Sequence, residues 1–235
     1  MDIDPLVVNL VQPALFDLGE PSSGTLELFP AVWGAAESLT YSDANARRAA
    51  MDRLDEMGAP RLSPLVAYMI ATRLQDSDMA VRLRAIRIIG EVIAGGMSFT
   101  KENLRHASEA VRSHLTAHLA QMRTRQIYAL LQASEADPGC EAYVTAILKA
   151  CCFAGAHLGN ILADRRVALQ IRKQAAHYIS RVGYLDVLPV LERLAGRLEG
   201  RVNGQQAMPF ASPGKDDEIA LLPLIHNVLN VLRAP

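Results

Sequence analysis

The chain has 235 residues with a formal charge of −1, half of them hydrophobic but only 5% aromatic. That length holds a substantial core, and the near-neutral total excludes a protein that grips polyanions over its whole surface. The apolar mass is Ala, Leu, Ile and Val rather than rings, which suits helices packed closely on helices. The charge is unevenly placed: residues 1–46 contain seven acids and no Lys, Arg or His, so the remainder carries about +6 and could meet an anionic partner. The three cysteines, Cys140, Cys151 and Cys152, include an adjacent pair and make a poor disulfide framework. They read as free thiols of a reducing, cytoplasmic setting. No basic-then-apolar leader opens the chain, so no secretory signal is expected.

In chain order, the first predicted element is an amino-terminal cap helix over 4–18, bent at Pro13 and closing a cap segment 1–24. Helix pairs are then expected over 25–199. The first is 25–39 with 43–57. The second is 63–75 with 78–94, opening on Ser63 as cap and Pro64 at the first helical position and stopping at Gly95-Gly96. Phe99 and Thr100 begin a third pair, Thr100 capping while Phe99 staples onto Leu104. No Gly or Pro interrupts 101–137, and the break is placed near 118–123. A fourth pair is expected over 140–162 and 166–182, ended by Gly183. The last joins 184–199 to a carboxy-terminal helix within 218–235, across a long loop at 200–217. No stretch alternates with the two-residue period of a strand. The apolar run Tyr143–Ala163 has the length of a membrane span, but Lys149, His157 and Asn160 interrupt it, and a buried helix is the reading adopted.

An internal repeat appears at an offset of 35: Leu39, Ser42, Asp43, Ala46, Arg47, Ala50 and Leu54 align with Leu74, Ser77, Asp78, Val81, Arg82, Ala85 and Ile89. A degenerate third copy carries Ile171, Arg172, Ala175 and Ile179, with Ala168 where the acid would stand. Asp before a helix can accept from the free N–H groups of its first turn. Val81, Ala85, Ile88, Ile89 and Val92 form one apolar stripe, which Leu83, Ile86 and Ile93 widen. A helix apolar on more than one side is packed on more than one side.

On Asp78, Val81, Arg82 and Ala85, with Asp43, Arg47 and Ala50 as the second copy, the sequence resembles the HEAT-repeat family. The likeness is good over 25–95 and fair over 165–199. It implies one all-α domain over 1–235, an α-solenoid of about five stacked antiparallel helix pairs. It also implies that Asp43, Asp78, Arg47, Arg82 and Arg172 form a structural ladder between neighbouring repeats. Arg84 and Arg87 have no basic counterparts in the first copy and are left as candidates for partner binding. Met208 and Phe210 in the long loop are the other candidates, as an apolar knob.

Groups capable of chemistry are sparse. His114 and His118 stand at i and i+4, but the sequence between them, Leu115-Thr116-Ala117, lacks the glutamate of a zinc-protease motif. Cys151 and Cys152 point about 100° apart on a helix and read as small apolar side chains. His177 beside Tyr178 reads as packing. No nucleophile elbow or phosphate-binding glycine loop is present, so neither a catalytic residue, a metal ligand nor a cofactor is assigned. The expected role is a non-enzymatic intracellular scaffold that offers a helical surface to a protein partner, away from the membrane. Alternatives are a nucleic-acid-binding solenoid using the arginines of its second helices, and an enzyme of the bilin-lyase type known among HEAT-like folds.

Overall fold

A computed structural model describes residues 23–95, 102–204 and 217–234. The cap helix expected at 4–18, the Phe99–Thr100 staple, and Met208 and Phe210 lie outside these residues. Among the described residues all regular structure is helical, with twelve α-helices, short 3₁₀ turns and no strand. The helices fall into two compact units, Met1–His118 and Leu119–Pro235.

The first unit begins with α1 (Ser23–Ser38) and α2 (Ala44–Glu56). Asp43 caps α2, its carboxylate accepting from the N–H groups of Asn45 and Ala46. After the turn at Gly58 an extra short helix, α3 (Ala59–Leu62), precedes α4 (Pro64–Ala71). Ser63 caps α4 at Val66 N–H and Pro64 takes its first position. The helix expected over 63–75 is thus α-helical only to Ala71; Thr72–Gln75 tightens into a 3₁₀ turn. Asp78 then caps α5 (Met79–Ala94) at Val81 N–H, and Gly95 ends it in the left-handed conformation, φ 70°. α6 (Glu102–Leu119) follows.

α5 is the centre of this unit. It packs on α2 and on α4. Val81, Ala85, Ile86, Ile88 and Ile89 are wholly buried, while Leu83 and Ile93 are half-buried. Ile86 lies off the main stripe, so the helix is apolar on more than one side because it has neighbours on more than one side.

In the second unit α7 (Thr124–Ala136) starts after a break at 120–123. The helix expected over 140–162 is not continuous. α8 (Glu141–Ala150) and α9 (Ala154–Ala163) meet at a bend of 116°. Cys151 is extended there, φ −97° and ψ 104°. The reason lies just past the bend. A Cβ on Gly155 would fall 2.5 Å from Asp186 Oδ1, and one on Gly159 would fall 3.0 Å from Val187 Cγ1. α9 therefore lies directly against the 3₁₀ turn Leu185–Val187, an approach that the two glycines ease, Gly159 against Val187 above all. No single described helix is long and apolar enough to cross a membrane.

The remaining elements are α10 (Leu169–Val182), α11 (Leu188–Val202) and α12 (Leu222–Arg233), the last entered through a 3₁₀ turn at Asp217–Leu221. α10 packs on α7, α8, α9 and α12, and α11 packs on α12. Tyr178 of α10 is the largest fully buried side chain. Its hydroxyl is paired with Ser134 Oγ at 2.6 Å, and burial pushes its pKa up to about 12.

The close approach of α9 sets up a substitution test. Gly159→Leu should overpack the Val187 contact and cost about 1–3 kcal/mol. Gly196→Leu on α11, where an added Cβ meets nothing within 4 Å, should leave the thermal midpoint unchanged or raise it. Equal midpoints for the two variants would remove this explanation of the bend.

Candidate functional site

The ladder arginines come first because they are the most deeply placed charges. Arg47 sits on the first turn of α2 and is 6% exposed. It donates from Nε and Nη2 to the two oxygens of Asp76, at 2.9 and 2.6 Å, and from Nη1 to the carbonyl oxygens of Tyr41 and Ser42, at 2.9 and 2.8 Å. Burial opposes ionisation of Asp76, but the hydrogen bonds from Arg47 and from Asp78 N–H outweigh it and hold this carboxyl below its ordinary pKa. Arg47 is pushed up in turn, chiefly by its hydrogen bonds to Asp76.

Arg172 repeats the arrangement in the second unit. Its Nε donates to the carbonyl oxygen of Leu162 and its Nη2 to Glu218 Oε1, both at 2.7 Å. In both cases the guanidinium holds a backbone carbonyl upstream of its own helix, in the preceding turn for Arg47 and in the last turn of α9 for Arg172, and an acid at the entry of another helix: Asp76 before α5, Glu218 before α12. The carboxylates bound by Arg47 and Arg172 are thus those of Asp76 and Glu218. Asp43 and Asp78 each cap their own helix and attract Arg47 through space, more weakly than Asp76 does. Arg82, aligned with Arg47, is half-buried on α5.

Arg84, expected to be left over for partner binding, is tied into the fold. It bridges Asp52 and Asp55 of α2, the latter at 3.0 Å. Arg61 continues the chain of charges, holding Asp55 at 2.6 Å and Glu91 at 2.8 Å, so α2, α3 and α5 are stitched together. The position in the first copy that aligns with Arg87 is Asp52, and the acid there supplies Arg84 with a partner one helix away. Arg87 is exposed on α5.

The second unit holds an open cleft of about 400 Å³ between α7, α8, α10 and α12, lined by Ser134, Glu141, Lys173, Gln174, His177 and Leu224. Glu141 Oε1 lies 2.8 Å from His177 Nε2 and accepts from Arg181 Nη1 at 2.9 Å. The carboxylate fixes the ring, and such a pair can hold or pass a proton beside a polar ligand of small-molecule size. His177 was expected to be a packing residue; it is instead exposed at this cleft, while its neighbour Tyr178 takes the packing role. Glu141 and His177 stand 36 residues apart, so no local spacing signalled the pairing.

His114 and His118 have separate neighbours. His114 Nδ1 lies 2.8 Å from Ala110 O of its own helix. His118 stands edge-on to Tyr68, centroids 4.8 Å apart, and burial lowers its pKa. Cys151 is buried, which raises its pKa, whereas Cys152 is exposed. His157 Nδ1 is 2.8 Å from Thr124 Oγ1. Large apolar side chains are exposed in both units: Trp33, Tyr41, Leu65 and Tyr68 in the first, Phe153, Leu185, Val202 and Val231 in the second.

No family model matches the chain, and no curated protein matches it either.

Two expected outcomes follow from the ion pairs. Arg47→Ala leaves the Asp76 carboxylate buried without its partner and should cost about 3–5 kcal/mol. Arg84→Glu, half-exposed and facing two acids, should cost roughly 1 kcal/mol; an unchanged midpoint would show that its bridges contribute nothing. Acid titration reads the same pair. The folded pKa of Asp76 is depressed, so its contribution is complete above the ordinary carboxylate range and is lost as pH falls through the folded value. Stability of the wild type should therefore decline from about pH 5 towards pH 2, and Asp76→Asn should flatten that decline.

Proposed function

We propose that the chain is a non-enzymatic, cytoplasmic HEAT-like α-solenoid scaffold that binds another protein through the exposed aromatic side chains of its first unit. The observation that carries this reading is the set Trp33, Tyr41, Leu65 and Tyr68, between 41% and 55% exposed. Trp33 belongs to α1, and Leu65 and Tyr68 stand three apart on one face of α4. These are the first helices of the two aligned pairs. Aromatic side chains of this kind dominate the energetics of protein interfaces, and large apolar groups left in water mark contact sites.

Other features support the same reading. Charges that looked available for a ligand, above all Arg84, are engaged inside the fold. The second helices pack on one another within each unit, α2 on α5 and α7 on α10 on α12, as repeats in a stack do. All three cysteines are free thiols, in keeping with a reducing compartment.

The test uses the full chain as bait in extract of its own cell, beside Trp33→Ser with Tyr68→Ser and a Val231→Ser control. A defined protein should be retained by the wild type and the control and lost at least tenfold by the double variant. Trp33 is the only tryptophan, so its emission should shift to the blue when that protein is added. Retention that survives the double substitution, or the absence of any defined partner, sinks the proposal.

A further inference from the structure

Cys151 and Cys152 stand where the chain leaves one helix of the second unit and turns toward the next. α8 ends at Ala150 and α9 begins at Ala154. In a continuous helix neighbouring side chains diverge by about 100°, and two adjacent thiols would face different surroundings. Here Cys151 is extended, φ −97° and ψ 104°, and the chain turns at 152–153. Both thiols then reach one acceptor: Cys151 Sγ lies 4.0 Å and Cys152 Sγ 3.8 Å from the carbonyl oxygen of Ala120. The bend gathers two sulfurs that a straight helix would separate.

The pair is divided by depth. Cys151 is 1% exposed, whereas Cys152 is open to solvent. Phe153, next in the chain, is itself turned out into water. Burial holds Cys151 in its thiol form, while the N–H groups of Phe153, Ala154 and Met122 lie against its sulfur and favour negative charge there. One thiol meets whatever is dissolved in water, and the other stands behind it at the same carbonyl oxygen. Cys140, the third cysteine, is fully buried.

An accessible thiol with a second thiol beside it is the arrangement in which oxidation ends reversibly. Adjacency decides what kind of bond results. Consecutive Cα atoms are about 3.8 Å apart, short of the roughly 4.4–6.8 Å spanned by ordinary disulfides. A bond between these residues is strained, and strained disulfides are readily reduced. Such a bond is unsuited to bracing the fold; it suits a pair that rests as thiols and closes under an oxidant.

We propose that Cys151 and Cys152 are a reversible oxidation site for hydrogen peroxide, with Cys152 as the thiol that reacts and Cys151 as the one that resolves it. The Cys152 thiolate attacks a peroxide oxygen. The O–O bond breaks, Cys152 becomes a sulfenic acid, and the departing hydroxide takes up the proton that the thiol gave up. The Cys151 sulfur then attacks the sulfenic sulfur. The S–O bond breaks as the S–S bond forms, and the departing oxygen takes the Cys151 proton and leaves as water. Two thiols and one peroxide thus give one disulfide and two waters. Exchange with a thiol reductant such as glutathione restores the pair.

Peroxide treatment of the full chain, followed by unfolding, alkylation and trypsin digestion, tests this. Cleavage after Lys149 and Arg165 puts both cysteines on one peptide, 150–165, apart from Cys140. In the wild type that peptide should lose the mass of two hydrogen atoms, resist alkylation, and recover both thiols with glutathione. It should do so at least tenfold faster than Cys140 loses its thiol. Cys151→Ser should stop at a sulfenic acid on Cys152, trapped by dimedone, and Cys152→Ser should slow oxidation of Cys151 at least tenfold. If Cys151→Ser fails to fold, Cys152→Ser and the wild-type peptide decide. An oxidised wild-type Cys152 beside a Cys151 that still alkylates, a disulfide joining two chains through Cys152, or Cys140 oxidised as fast as the pair would overturn the assignment.

Discussion

The structure turns on a buried arginine that has no means of shedding its charge. A guanidinium stays protonated in any protein environment, so Arg47 and Arg172, placed at the start of a helix and almost closed to water, must be matched by acceptors. Each finds them in two kinds. Backbone carbonyl oxygens, from the preceding turn for Arg47 and from the end of α9 for Arg172, are drawn onto the side chain; a carboxylate from the entry of another helix is drawn in after them, which fixes where that helix begins. The pairing joins segments 29 residues apart in the first unit and 46 in the second. Hydrophobic packing of α5 and α10 supplies most of the driving force, but packing of Ala, Ile and Leu is tolerant of small slides. The arginines are not tolerant, and they set the register.

Around that constraint the other charges sort themselves by depth. Asp76 and Glu218 lie deep and are held ionised against burial by their arginines. Asp43 and Asp78 lie at helix starts and satisfy backbone N–H groups instead. Asp52, Asp55, Arg61, Arg84 and Glu91 form a partly exposed chain in which each link is worth little alone. The same residue types thus do three different jobs, and depth below the surface decides which.

This explains what the sequence disclosed and what it did not. Caps, glycine stops and the apolar stripe of α5 depend on residues within a turn or two of each other, so the starts of α2, α4 and α5 and the break before α7 were legible. The partner of Arg47 was not. The segment Asp76–Ser77–Asp78 offers two acids for two duties, capping and pairing, and the alignment of Asp78 with Asp43 favoured the wrong one for the ladder. Glu218 was invisible for a stronger reason: the arginines it pairs with, Arg165, Arg172, Arg197 and Arg201, come from three separate stretches of chain and share no spacing with it. The acids that Arg84 bridges were hidden as well, since they lie across on α2 rather than along its own helix.

The bend between α8 and α9 was hidden by composition, since a continuous apolar run carries the helical period whether or not the helix is continuous. Its consequence reaches the cleft. α10 has to meet α9, where Arg172 holds the Leu162 carbonyl, and it has to meet Glu141 through His177 and Arg181. Glu141 stands at the first turn of α8, 13 residues before Ala154 opens α9. In a straight helix that separation would be about 20 Å along the axis, and α10 could follow it only by running alongside for its whole length. The 116° turn lets α10 pack on both segments at once. Gly155 and Gly159, which permit α9 to settle against the 185–187 turn, are therefore as much a part of the cleft's construction as the glutamate and histidine that line it.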